Sequence, residues 1–308
     1  MNIQNFNHNS ELPSLLSDPI GTAVVRAPGV CGELAQGLID DHNFLITCPI
    51  DFFSRVEVTI YKSGSDIIAP PNCRKSSLAV DATLQNLGYT DVSAVLKVYN
   101  PIPRGKGMGS SSADVTASIA ATALSLGCNL SPRDIANIAV SIEPSDGIMF
   151  PGIALFDYKQ GLISEELGNP PPMEIVALDF GGTVDTVQFN QVDRSHIWKS
   201  IQGETDKALE LIREGIHKGI PALIGEGATI SSLASQSLLE NIHLTEVLDF
   251  ASAVGGVGVC LGHSGTIIGI LLDARQKKGK SVFNQSRKTF CKASEIYHFR
   301  ILGGGIRT

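Results

Sequence analysis

The sequence predicts an α+β fold in two lobes, and three observations predict it. Short runs rich in β-branched and aromatic residues alternate with helical stretches between residues 23 and 158. A second set of strands and helices begins near residue 174. Between the two sets lies Gly168-Asn169-Pro170-Pro171-Pro172, the strongest linker signal in the chain. The expected organisation is a loose tail at 1–20, a first lobe at 21–167 and a second at 173–308. The tail is polar, rich in Asn and Ser, and broken by Pro13 and Pro19.

In the first lobe, strands are expected at Ala23–Arg26, Phe44–Cys48, Arg55–Ile60, Val95–Tyr99 and Gly152–Tyr158. Helices are expected at Ser76–Leu87 and at Ser111–Leu126, the latter closed by Gly127 at a position that favours a left-handed cap. Ser131-Pro132 reads as an N-cap followed by proline at the first helical position, and Pro144 stops that helix near Ile142. The second lobe is expected to open on a strand at Glu174–Phe180. Helices then follow near Asp206–His217, Pro221–Leu238 and Leu244–Val254. A hairpin from Val257 to Leu272 turns near Gly262-His263-Ser264-Gly265, and a last helix and the strand Tyr297–Leu302 close the lobe. No internal repeat is evident.

Composition narrows the function. The chain has 308 residues, 43% hydrophobic and 18% charged, which describes a globular protein and excludes a disordered one. Its 24 Lys+Arg against 31 Asp+Glu give a net charge of −7, which argues against a general nucleic-acid binder. Apolar runs are too short to span a bilayer, and the N-terminus carries neither a basic nor an apolar signal region, so a cytoplasmic protein is expected. The six cysteines form no C-x-x-C pair and are expected to be reduced and mostly buried. The histidines make no H-E-x-x-H pattern, so a metal held by the protein alone is not expected. An oligomer is possible but not indicated.

The most informative segment runs from Ile102 to Asp114, after a strand and before a helix of very small residues. Gly105, Gly107 and Gly109 remove the Cβ atoms that would keep a bulky anion from the backbone. Ser110, Ser111 and Ser112 add hydroxyls where the first helical N–H groups are unpaired. A helix N-terminus of that kind binds phosphate, and the serines can also reach Mg²⁺, which prefers hard oxygens. The segment is neither a Walker A loop nor a G-x-G-x-x-G fingerprint. A flexible Gly/Ser turn into a closely packed helix is the plainer alternative.

The dodecad 102–113 resembles the ATP-binding signature of the GHMP kinases, the family of galactokinase, homoserine kinase, mevalonate kinase and phosphomevalonate kinase. Ala27-Pro28-Gly29 sits where that family has its first motif, and Gly255-Gly256-Val257-Gly258-Val259-Cys260-Leu261 where it has its third. The resemblance implies a nucleotide-binding first lobe, a ferredoxin-like second lobe, and ATP with Mg²⁺ as cofactors. It implies nucleotide contacts from Pro103, Gly105, Lys106, Gly107, Met108, Gly109, Ser110, Ser111 and Ser112.

Glu143-Pro144-Ser145-Asp146-Gly147 places two carboxylates on a Pro/Gly turn. Phosphoryl transfer to an alcohol needs charge neutralisation, alignment and usually a carboxylate at the hydroxyl. These two acids can divide those tasks, or they can be a solvated turn. By resemblance to the mevalonate and galactose branches, Asp146 falls where the catalytic aspartate is supplied, and Ser111, Ser112 and Glu143 would hold Mg²⁺.

The first motif departs from those branches. Where they carry a lysine or arginine, this chain has Val30 and Cys31, followed by Gly32-Glu33-Leu34-Ala35-Gln36-Gly37. That form, with Cys48-Pro49-Ile50-Asp51 and the Glu143–Gly147 turn, resembles the propanediol-utilisation branch, whose members are similar to L-threonine kinases serving cobalamin assembly. The resemblance implies ATP + L-threonine → ADP + O-phospho-L-threonine. A zwitterionic small-molecule substrate needs contacts of both signs, for which Arg26, Glu33 and Asp51 are candidates. Another amino-alcohol kinase (homoserine or serine), a decarboxylase of the same fold and a non-catalytic ATP-binding protein remain as alternatives. His263 is a candidate for the cleft or a tolerated turn residue, and the basic run Arg275–Lys280 is expected to be a solvated loop.

Overall fold

A computed structural model describes residues 19–182, 195–262 and 265–308. The first lobe begins with two long antiparallel strands, β1 (Pro19–Ile39) and β2 (His42–Ile68). They are followed by α1 (Arg74–Asn86), β3 (Val92–Tyr99), α2 (Ser110–Ser125), α3 (Pro132–Ile142), β4 (Ile153–Phe156) and β5 (Ser164–Gly168). The second lobe opens with β6 (Met173–Asp179). It continues through helices α4 (Ser195–Ser200), α5 (Gln202–Lys218), α6 (Pro221–Ala234) and α7 (Leu244–Ala253). It ends with the hairpin β7 (Gly258–Leu261) and β8 (Ile267–Asp273), helix α8 (Gly279–Thr289) and strand β9 (Glu295–Arg300). Of the expected tail, only Pro19 and Ile20 lie within the described residues, where they start β1; His263 lies outside them.

The described strands form one sheet in the order β5-β4-β2-β1-β7-β8-β6-β9, with β3 also on β2. Within the second lobe the order β7-β8-β6-β9 is antiparallel throughout, the arrangement of a β-α-β-β-α-β ferredoxin-like unit. The lobes meet where Glu33 of β1 pairs with Leu261 of β7. One apolar core runs under both lobes, from Val25, Phe44 and Ile46 to Ile212, Ile224 and Leu271. A second lies between the sheet and α7 and α8, around Val176, Val247 and Val282. The linker residues 168–172 thus join β5 and β6 of a common sheet.

Sequence explains the local structure. Helix α2 is almost entirely buried because its Ala113, Ala117, Ala120 and Ala121 let the backbone lie close to β1 and β2. At Gly21 a Cβ would come within 2.2 Å of the Ser125 carbonyl oxygen. Gly127, at φ +71°, follows α2 as its left-handed stop. Helix α3 has a capping box in which Ser131 Oγ accepts from the Asp134 N–H while Asp134 accepts from the Ser131 N–H. Most expected elements are found, but the strands expected at Phe44–Cys48 and Arg55–Ile60 are parts of one strand, β2, while β5 and α4 were not anticipated. Strand β1 is much longer than the four residues anticipated. It continues through Pro28 and Gly32 with register shifts at Pro28/Val30 and Val30/Glu33.

Those shifts position the site. A bulge leaves ladder N–H groups unpaired within the sheet. Here Val30 N–H donates to the Met108 carbonyl at 3.0 Å and Gly32 N–H to the Gly107 carbonyl at 3.1 Å. The loop between β3 and α2 is therefore held against β1. On its other side, the Lys106 carbonyl accepts from the N–H groups of Thr266 and Ile267 at 3.1 and 3.2 Å.

Candidate active site

The loop expected to bind phosphate adopts the backbone its glycines allow. Gly105, Gly107 and Gly109 have φ of +70°, +80° and +64°, the left-handed region that other residues enter at a cost. At Gly107 a Cβ would lie 3.2 Å from the Gly265 Cα and 3.3 Å from the Gly262 Cα, so the two glycine-rich segments stack backbone to backbone. Gly109 is the N-cap of α2 and has no side chain to cap it. The first helical hydrogen bond is Ala113 N–H to Gly109 C=O. The amides of Ser110, Ser111 and Ser112 precede that ladder, the geometry of an anion site.

A cavity of about 460 Å³ opens at this helix end. Pro103, Gly105, Gly107, Met108, Gly109 and the three serines line it, together with Glu33, Glu143 and Asp146. The structure thus brings together most of the residues singled out from sequence. Three stand apart. Lys106 turns away from the cavity: its ammonium lies 2.9 Å from Asp179 Oδ2 and donates to the Gly182 carbonyl at 2.8 Å. Arg26 is exposed between buried Val25 and Ala27, because successive strand residues face opposite sides, and its backbone bridges Arg307. Asp51 is held at the lobe junction, where its carboxylate accepts from the Arg300 N–H and Nε, both at 2.8 Å.

The serines have separate environments. Ser110 Oγ donates to the Ile102 carbonyl at 3.0 Å and receives Asn100 Nδ2 at 3.0 Å, closing the loop on itself. Ser111 Oγ donates to Glu143 Oε1. Ser112 Oγ accepts from the Asp146 N–H at 3.1 Å. Glu143 reaches α2 because it precedes Pro144: that proline excludes the helical region, and Glu143 is extended at φ −161°, ψ 160°. Ser111 and Glu143 offer two hard oxygens in contact, a donor set that fits Mg²⁺ when water and phosphate oxygens complete the shell.

Asp146 is half-buried, and its pKa is raised to about 7. Loss of hydration is the main cause, and the nearby Glu33 carboxylate adds to it, while the Ser112 hydrogen bond pulls the other way. A carboxyl group with that value can exchange a proton near neutrality. Cys31, in the first motif, is fully buried; its contact with Cys260 and its burial push the thiol well above 9.0, so it packs rather than reacts.

Several cavity residues escaped the sequence reading. Lys75, on the first turn of α1, makes an ion pair with Glu143 Oε2. Asp114 accepts from Ser54 Oγ at 2.6 Å and Asn100 Nδ2 at 2.7 Å beneath the loop. Tyr158 receives Gln36 Nε2 at 3.1 Å on its phenol oxygen. Only Asp114 carried a local signal, as a carboxylate in the apolar face of an alanine-rich helix.

Comparison with known proteins follows the same site. Residues 74–152, which hold α1, the loop, α2 and the Glu143–Asp146 turn, match the N-terminal domain of the GHMP kinases. An L-threonine kinase of Salmonella typhimurium is 32% identical over 260 residues, covering 82% of this chain and 84% of that protein. An L-threonine kinase of Citrobacter freundii is 32% identical over 254 residues, covering 82% of this chain and 86% of its own. Among solved structures, the homoserine kinase of Cytophaga hutchinsonii shares the fold with a TM-score of 0.72 at 18% identity, over 93% of this chain and 97% of that one. Together with the glycine loop and the cavity it builds, these likenesses establish the chain as a kinase that belongs to the GHMP kinase family.

Proposed function

We propose that this chain transfers the γ-phosphoryl group of ATP to the hydroxyl of L-threonine, giving ADP and O-phospho-L-threonine. The observation that carries the reading is one cavity in which the amide-lined end of α2 faces a half-buried carboxyl group, Asp146, poised near neutrality. The likeness to two L-threonine kinases supports the choice of alcohol. By the resemblance of its motifs, the product would supply the aminopropanol linker of cobalamin.

In this reading the amides from Gly107 to Ser112 bind the triphosphate. Ser111, Ser112 and Glu143 would hold Mg²⁺, which when bound neutralises charge on the phosphates. Asp146 accepts a hydrogen bond from the threonine hydroxyl, aligns its oxygen on the γ-phosphorus, and takes the proton as the P–O bond forms. Glu33, 5% exposed and close enough to Asp146 to raise its pKa, binds the substrate ammonium. The new P–O bond forms on threonine as the bond to ADP breaks, so charge and atoms balance.

A coupled ADP-release assay with Mg-ATP tests this against L-threonine, L-serine, L-homoserine and no acceptor, with the product weighed by mass spectrometry. Turnover on L-threonine with the gain of one phosphate is expected. Turnover on L-homoserine alone would keep the kinase and replace the substrate. ATP consumption with loss of CO₂ from an acid would replace the reaction.

A further inference from the structure

We propose that Lys75 is a phosphate-binding residue: its ammonium rests on Glu143 and moves to the triphosphate when the nucleotide binds. The proposal rests on the kinase reading of the same cavity. It begins from a deficit of charge. Val30 and Cys31 are 1% and 0% exposed, and they put apolar side chains on the β1 wall of the loop. Four acids line the cavity (Glu33, Asp114, Glu143 and Asp146) against three cations (Arg74, Lys75 and Arg104). A triphosphate entering that field needs cationic charge close to the helix end.

Two of the three cations are poorly placed to give it. Arg104 is engaged beside the loop, with Nη1 on the Asn72 carbonyl at 3.2 Å and Nη2 3.6 Å from Asp114. Arg74 is exposed on the cavity rim. Lys75 differs. Its ammonium meets one oxygen of Glu143, and the other oxygen of that carboxylate meets Ser111 Oγ in the first turn of α2. The relay from ammonium to carboxylate to hydroxyl ends at the N-terminus of α2, where the amides converge.

The two partners differ in freedom. Glu143 is fixed by the backbone that Pro144 imposes. Lys75 stands on a four-carbon stem with 45% of its side chain exposed, so the ammonium can swing while α1 stays in place. Binding of a polyanion with its divalent ion gives Glu143 a new partner and leaves Lys75 free to pair with phosphate oxygens. A cation that the first motif lacks is thereby provided from α1.

Isothermal titration of the full chain with ATP, ADP and AMP, with Mg²⁺ and with EDTA, tests the exchange. Lys75→Met is expected to weaken ATP at least about tenfold, ADP less, and AMP not at all; Lys75→Arg restores most of the loss. In EDTA, Glu143→Gln is expected to bind ATP at least as tightly as wild type, because the ammonium is released, and adding Lys75→Met removes that gain. ATP affinity unchanged by Lys75→Met would overturn the proposal. So would an equal loss for ATP and AMP, which would make Lys75 a structural support of the cavity. Wild-type protein that binds ATP but phosphorylates no amino alcohol would remove the substrate assignment and leave Lys75 in its role.

Discussion

The backbone N–H of Asp146 donates to Ser112 Oγ at 3.1 Å, so the turn after α3 is pinned to the first turn of α2. The amide-lined end of the helix and the residue that carries the half-buried carboxyl group are thus joined by one hydrogen bond. A displacement of one is felt by the other.

Asp146→Asn keeps the shape of that turn and removes the proton acceptor. We expect kcat to fall by about 10²–10⁴ with the ATP KM changed less than about threefold. The wild-type rate should rise with pH through an inflection near 7, the value at which Asp146 loses its proton, and the variant should lack that inflection. Initial rates between pH 5.5 and 8.5 decide it; an unaltered kcat would remove Asp146 from the reaction.

The same carboxyl group has an opposite effect on stability. Its folded pKa of about 7 stands above the ordinary value of 3.8, so the folded state keeps a proton that the unfolded chain has released. Stability is therefore lost as pH rises from about 4 to 7. The ceiling on that loss is about 4 kcal/mol, from 1.36 kcal/mol per pKa unit. Asp146→Asn should melt several degrees higher than wild type at pH 8 and at the same temperature near pH 4, which thermal denaturation in the absence of nucleotide measures. A variant that melts lower at pH 8 would contradict this.

Asp114 holds the loop from beneath. Replacing it with alanine leaves the Ser54 hydroxyl without its acceptor, at about 1–3 kcal/mol, and takes one of its acceptors from the Asn100 amide, which keeps those on Ser110. Asp114→Ala should lower the urea midpoint and raise the ATP KM together, because Asn100 also binds Ser110. A change in stability with no change in ATP KM would separate this network from the loop.

Lys106 lies in the loop yet serves the contact between lobes. Lys106→Met removes the cation facing Asp179, which is 3% exposed but keeps the Gly181 N–H and the Thr266 hydroxyl, and should cost at most about 3 kcal/mol. Burial alone would raise the Asp179 pKa, but Lys106, the Gly181 N–H and Thr266 together hold it below the ordinary value. The pair's stabilisation is present above the unfolded pKa and lost as pH falls through the folded one. The variant's deficit should accordingly shrink in acid. ATP affinity should change far less than in Lys75→Met; an equal loss would place the Lys106 ammonium at the phosphates.

What was legible in the sequence was local. Three glycines at alternate positions, followed by serines and a run of alanines, permit a left-handed loop and favour a tightly packed helix from local sequence alone. Pro144 equally announced that Glu143 would leave the helix extended. Lys75 was illegible because its partner is 68 residues away, at the end of α3, and only the packing of α1 against α2 and α3 joins them. Arg26 and Asp51 were read as substrate contacts from their motifs. Strand alternation in β1 and the Arg300 pair across the lobes decide where they point, and neither is a property of a short segment. The length of β1 was hidden for a related reason, since Pro28 and Gly32 read as breakers until the bulges they create are used to dock the loop.

The supports of the glycine loop are scattered along the polypeptide: Val30 and Gly32 on one side, Thr266 and Ile267 on the other. During synthesis at about 5–20 residues per second, the glycine segment leaves the ribosome well before its second support exists. Its closure is a late, non-local event, and contacts of that kind slow folding. On the proposed function, a growing chain would carry α2 and its serines without a competent site, and affinity for ATP is expected only once β8 has paired. Nucleotide bound there would stabilise finished molecules while offering nothing to partial ones, which would make ATP itself a selector for completed folding.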